Sequence, residues 1–306
     1  MENKKISQHL ENTLKHLYIN PLEKCNLACK ICYTKKTKFV LSKEAILDFV
    51  DRYQKVQKLE SITFCGGEVF LLADFVELIN ELTAKNIFIQ IISNGTIDRL
   101  AEIKEPNMVN LIISLDGLKD YHDQNRGIGN FAKSTDLLKK AIVLGFHTEI
   151  FSIVTKENLE QIPQFEEALA TICGKKMEIT YHPRKPRTYL KAHPISNILG
   201  TVKGFEFLSS QEINGLMKTK QTFPPQNLGC YQISLMSNGQ VYGCCEGITP
   251  LGSITTDSEE LINNLKNRLA IWDHKNYNNK CLGCVEKDFV CGLTDNLKIK
   301  KYENNS

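Results

Sequence analysis

The stretch that decides the fold is Lys24–Tyr33, KCNLACKICY, which places Cys25, Cys29 and Cys32 within eight positions directly after a short apolar run. Zinc commonly takes paired C-x2-C knuckles, whereas this is C-x3-C-x2-C with no fourth Cys or His nearby. Three protein thiolates suit a metal that keeps one coordination position open.

Outward from this loop, short β-rich runs recur at 16–20, 61–64, 87–93, 109–114, 147–154 and 176–181. Between them lie helical patterns: Ser42–Lys55 with Ser42 as N-cap, Asp74–Lys85, Phe131–Leu144 ended by Gly145, and Asn158–Ile172. Strict βα alternation predicts an α/β fold: a partial (βα)6 TIM-like barrel, open on one side, with its binding residues at the C-terminal ends of the strands.

The pattern lapses after the sixth run, so four regions are expected: an extension over 1–16, the barrel core over 17–182, a Pro- and Lys/Arg-rich linker over 183–204 and a small unit over 205–306. That last unit holds Cys230, Cys244, Cys245, Cys281, Cys284 and Cys291, an SNGQ hairpin turn and a helical stretch over 258–272. It is too small to bury much core, so a metal would stabilise it.

Thirty-eight basic against 35 acidic side chains leave a net charge of +3, which argues for neither nucleic acid nor a membrane surface as partner. No apolar run approaches the roughly 20 residues that span a bilayer, and the N-terminus lacks a secretory core, so a cytoplasmic protein is expected. Eleven cysteines in a reducing compartment favour metal or redox chemistry over disulfides.

With these segments in order, the chain resembles the radical S-adenosylmethionine (SAM) superfamily, and within it the members that mature ribosomally made peptides. The resemblance covers roughly residues 17–180. It implies that Cys25, Cys29 and Cys32 hold three irons of a 4Fe–4S cluster whose fourth iron binds SAM, which on reduction yields a 5′-deoxyadenosyl radical. It further implies that Gly66, Gly67 and Glu68 of CGGE meet the methionyl group, with Glu68 on its ammonium. Ser93 and Asn94 of SNG, with Ser114 and Asp116 of SLDG, would bind ribose and flank the radical, and Arg126 would pair with the SAM carboxylate. Two positions depart from the family pattern: Ile31 stands where an aromatic is usual, and Val69 where proline follows GGE.

The C-x8-G-x4-C spacing of Cys230, Gly239 and Cys244, with the later Cys281 and Cys284, resembles the SPASM or shortened Twitch region. That resemblance implies one auxiliary 4Fe–4S cluster on Cys230, Cys244, Cys281 and Cys284, with Cys245 or Cys291 able to replace a ligand; a zinc ribbon is the competing reading. Cys245 is also the candidate hydrogen donor opposite the radical, as in radical SAM peptide epimerases. Tyr181 and His182, at the end of the sixth strand, are candidate catalytic residues, while Cys65 and Cys173 read as structural thiols.

The expected activity is hydrogen abstraction from a peptide or small protein, with Cα epimerisation the most specific form and a flavodoxin- or ferredoxin-like electron donor. The alternatives are a small-molecule dehydrogenase using the auxiliary cluster as electron acceptor, and a non-catalytic metal-cluster scaffold. Arg184, Lys185, Arg187 and Lys191 are either solvated or contacts for an acidic substrate. Only some 16 residues precede the first strand, so no leader-binding domain is expected ahead of the barrel.

Overall fold

A computed structural model describes residues 10–185, 197, 200–222, 230–245, 247 and 249–273. The six expected strands form as β1 (His16–Ile19), β2 (Ser61–Phe64), β3 (Phe88–Ser93), β4 (Val109–Ser114), β5 (His147–Val154) and β6 (Glu178–Pro183), each parallel to its neighbour. Three more short strands, β7 (Cys230–Leu235), β8 (Gln240–Cys244) and β9 (Gly252–Ser253), extend the same sheet, giving the order β6-β5-β4-β3-β2-β1-β7-β8-β9.

With six parallel strands in sequential order, crossovers of the usual right hand keep the helices on one face, as in a barrel. It stays open because β1 pairs with β7 and not with β6. The hairpin read from the sequence as part of a separate unit is therefore continuous with the core sheet, Leu17, Tyr18 and Ile19 lying against Ile233, Ser234 and Leu235. Gly239 closes the hairpin at φ 77°, a left-handed conformation suited to glycine. Pro183 is tolerated because β6 is an edge strand.

The helix Lys43–Gln54 starts where Ser42 Oγ accepts from the Ala45 amide at 3.2 Å, and it buries Ile46, Phe49, Val50 and Tyr53 along one face. Phe75 opens the next helix and packs edge-on against Phe64 and Phe70, each ring centroid 5.4 Å away. The segment expected as one helix over 158–172 splits into Lys156–Leu159 and Ile162–Cys173, since Pro163 cannot donate to the first piece and instead starts the second. Two helices had no apolar period to announce them: the polar Lys119–Arg126, and Ser210–Thr219, which a Ser209–Glu212 capping box opens.

Register brings the strand ends level: Tyr18 pairs with Thr63, Thr63 with Gln90 and Gln90 with Asn110. Asn20, Cys65, Ser93 and Ser114 therefore emerge at one rim. Phe75→Ala should destabilise the chain by about 3–5 kcal/mol and Ser42→Ala by about 1 kcal/mol, measured by urea unfolding.

Candidate active site

A cavity of about 200 Å3 opens at that rim, walled by the cysteine loop on one side and by the ends of β1 to β5 on the other. Cys25, Cys29 and Cys32 all line it, as do Gly66, Gly67, Ser93, Asn94, Ser114, Arg126 and Cys245. A larger cavity of about 420 Å3 lies at the opposite rim among Phe88, Asn110, Glu149 and Lys176, and none of the expected site residues reaches it.

The cysteine loop is held by donors on several sides. The Leu27 amide donates to Cys25 Sγ at 3.4 Å, Asn94 Nδ2 to the same sulfur at 3.7 Å, and Lys36 Nζ to Cys32 Sγ at 3.5 Å. Polar hydrogens aimed at sulfur are what an iron–sulfur cluster's thiolates need for charge compensation. Among the described residues no three Cys, His, Asp or Glu side chains already converge at metal-holding distance. The three thiols fit such a cluster by chemistry and by their shared cavity.

Gly66 and Gly67 answer to the loop itself. A Cβ on Gly67 would stand 1.9 Å from the Lys24 carbonyl oxygen, and one on Gly66, at φ 149°, 2.2 Å from that of Leu22. The Gly67 amide donates to Leu22 O at 2.8 Å and the Glu68 amide to Lys24 O at 2.9 Å, so the CGGE turn zips onto the strand leading to Cys25. Glu68 is fully buried and does not line the cavity: its carboxylate accepts from Ser93 Oγ at 2.9 Å, the Asn94 amide at 2.8 Å and the Phe70 amide at 3.3 Å. Burial still pushes its pKa up against those bonds. The Glu68 carboxylate is thus bonded by the SNG turn, directly behind the cavity wall that Ser93 and Asn94 form.

Asp116 is likewise bonded within the chain and does not line the cavity. It has no exposed surface, and its carboxylate accepts from Arg126 Nε at 2.6 Å, Arg126 Nη2 at 2.9 Å, Asn125 Nδ2 at 2.7 Å and the Ile153 amide at 3.2 Å. Burial alone would raise its pKa, but the Arg126 guanidinium outweighs that and holds it below the usual carboxylate value. Arg126 keeps one edge on the cavity while two of its donors are spent on Asp116, so it is neither a surface ion pair nor wholly free for a ligand.

Asn125, which sequence reasoning passed over, joins this pair to the thiols. Its carbonyl accepts the Lys30 amide at 3.0 Å and its Oδ1 the Ile31 amide at 3.3 Å, between Cys29 and Cys32. Ile31 packs with Tyr121 and Phe205, filling the place where the family carries an aromatic. Arg184 is buried and bonds the carbonyls of Phe205 and Gly200, so it secures the segment over that cluster and is not a solvated substrate contact.

Of the remaining candidates, Tyr181 faces away from the cavity and donates to Glu166 Oε1 at 3.0 Å. His182 stacks edge-on with Phe151 at 4.9 Å, one strand from cavity-lining Ile153, and does not itself line it. Alternation along β6 puts the two on opposite faces. Cys245 does reach the cavity, its thiol hydrogen-bonded with that of buried Cys244. Cys230 pairs with Cys244 across the hairpin backbone; its side chain and Cys281, Cys284 and Cys291 lie outside the described residues. Cys65, read as structural, lines the cavity.

Residues 19–169 match the model of the Radical SAM superfamily. The chain carries a radical SAM domain. Such a domain implies SAM and a 4Fe–4S cluster. The mycofactocin maturase MftC of Mycolicibacterium smegmatis is 31% identical over 164 residues, covering 51% of this chain and 41% of that protein. The chain thus spans less than half the length of that curated relative. An uncharacterized protein of Methanocaldococcus jannaschii, MJ0907, is 28% identical over 310 residues, covering 90% of this chain and 96% of its own. Among solved structures, Streptococcus suis SuiB bound to its precursor peptide SuiA aligns over 94% of this chain and 74% of that one at TM-score 0.62 and 16% identity, a likeness of fold.

Asp116→Asn should leave the buried Arg126 charge unpaired, destabilising the fold by about 3–5 kcal/mol, with reduced iron retention after anaerobic reconstitution. Burial lowers the pKa of His122 and of His182 to about 4 from an ordinary 6.5. Both resist protonation when folded, so stability present above pH 6.5 is lost as pH falls toward 4, by up to about 1.4 kcal/mol per pH unit for each ring. Denaturant midpoints across that window should show a shallower slope for His122→Asn.

Proposed function

We propose that this chain is a radical SAM enzyme that abstracts hydrogen from a peptide or small protein, and that Cys245 returns hydrogen to the resulting radical so that a Cα centre is epimerised. The observation that carries the reading is the shared cavity, which the three loop thiols, the Cys245 thiol and Arg126 all line. The peptide class is supported by MftC, named a maturase, and by SuiB, whose structure holds a precursor peptide.

Bound to Cys25, Cys29 and Cys32, a reduced cluster would give SAM the electron that releases a hydrogen-abstracting adenosyl radical. The chain's own residues do the rest. Asn94 and Leu27 orient Cys25, Asn125 fixes the backbone between Cys29 and Cys32, and Asp116 holds Arg126 at the cavity, where it can meet a carboxylate. Ser114 and Asn94 offer polar groups at the rim for the ribose. Glu68 acts from behind by fixing the Ser93–Asn94 turn, and its Oε2, which accepts only the Asn94 amide, keeps capacity for an ammonium.

The same reading places an auxiliary 4Fe–4S cluster on Cys230, Cys244, Cys281 and Cys284 and draws electrons from a flavodoxin- or ferredoxin-like donor in the cytoplasm. The cross-hairpin pairing of Cys230 with Cys244 supports the first half of that ligand set. Among the described residues no helix is long and apolar enough to cross a membrane.

Changing Cys25, Cys29 and Cys32 together to Ala should abolish 5′-deoxyadenosine formation under reduction and remove about four of about eight irons per chain. Four irons plus a zinc in the unaltered protein would make the C-terminal cysteines a zinc ribbon. Cys245→Ala should keep hydrogen abstraction and lose its repair; continued formation of D-residues in that variant would refute the donor role.

A further inference from the structure

Cys65 stands at the end of β2, two residues beyond Thr63, and Tyr18 is Thr63's partner on β1, so both side chains belong to the inner wall. They are hydrogen-bonded to each other, and both line the cavity that Cys245 enters from the hairpin. Cys245 lies close enough to both for their charges to interact. Burial raises the Tyr18 pKa well above that of an ordinary phenol, so its hydroxyl hydrogen stays in place at working pH. Neither residue has a part in holding the proposed clusters or SAM.

We propose that Cys65 and Tyr18 form a hydrogen-atom relay that restores Cys245 after it has given its hydrogen away. The inference rests on the reading of Cys245 as donor. When a carbon radical takes hydrogen from the Cys245 S–H bond, a C–H bond forms and a thiyl radical remains. Cys65 passes its thiol hydrogen to that thiyl, and Tyr18 passes its hydroxyl hydrogen to Cys65, leaving a tyrosyl radical. One electron from the flavodoxin- or ferredoxin-like donor and one solvent proton return Tyr18 to the phenol. Thiol S–H and phenol O–H bonds are of similar strength, so neither internal transfer is strongly uphill.

The probe is SAM itself, with dithionite in D2O and no peptide, so that the adenosyl radical takes deuterium from the cavity thiol. The reconstituted full-length protein should form several equivalents of singly deuterated 5′-deoxyadenosine. Cys65→Ala and Tyr18→Phe should each stop after one equivalent, and Cys245→Ala should form none. With one reducing equivalent per chain, freeze-quenched paramagnetic resonance should show a tyrosyl signal that changes with ring-deuterated tyrosine and vanishes in Tyr18→Phe. Multiple deuterated turnovers in Cys65→Ala and Tyr18→Phe, with Cys245→Ala inactive, would overturn the relay and leave Cys245 as donor. Deuteration unchanged in Cys245→Ala would remove the donor reading and the relay with it. Absence of the tyrosyl signal from the unaltered protein would also overturn the relay, and thermal unfolding of each variant separates these outcomes from a folding defect.

Discussion

One carboxylate organises the rim of the barrel. Asp116, without exposed surface, binds the Arg126 guanidinium through two bonds, the Asn125 amide through a third and the β5 backbone at Ile153 through a fourth. Removing a carboxylate from water is expensive, and only a full set of well-placed donors offsets it. Because Asn125 in turn receives the Lys30 and Ile31 amides, the geometry of the thiol loop depends on a charge that never meets the cavity. His122, neutral and buried, accepts the Asp116 amide at 3.3 Å and completes the packing behind it.

The opposite wall is built on a different principle. The CGGE turn has no side chains at Gly66 and Gly67, and this lets two backbones run together closely enough to exchange hydrogen bonds. A methyl group at either glycine would collide with a carbonyl oxygen, for which no side-chain adjustment compensates. Glu23, two residues before Cys25, accepts from Thr37 and from Ser237 of the hairpin turn, so the same loop is also tied to the last part of the sheet. Strand ends, glycine turn, polar helix and hairpin thus each fix one side of a single cavity.

Elements with a strong period were legible in the sequence: SITF, VNLIIS and HTEIFSIV form strands over the expected residues, and Ser42 caps the helix it was expected to cap. So were the three loop cysteines, the glycines and Arg126 as a group meeting at one rim. What could not be read was which partner each polar group would choose. Asp116 and Glu68 carry the right chemistry for a ligand, yet buried donors within the chain claim both. Asn125 and the helix that bears it lack an apolar period, and Tyr18 reads only as one residue of a strand. Tyr181 and His182 share the end of a strand, but alternation turns adjacent side chains to opposite faces, so position at a strand end does not by itself place both at the site. The hairpin's place beside β1 depends on a pairing between residues more than 200 positions apart, which local patterns do not encode.

The most direct test of the account is the paramagnetic resonance spectrum of the reduced, anaerobically reconstituted protein before and after SAM is added. If the three thiols leave one iron open within this cavity, SAM will change the signal of one cluster, and the change will be absent when Cys25, Cys29 and Cys32 are replaced by Ala. A cluster signal that SAM leaves unaltered would contradict the assignment of this cavity as the SAM site.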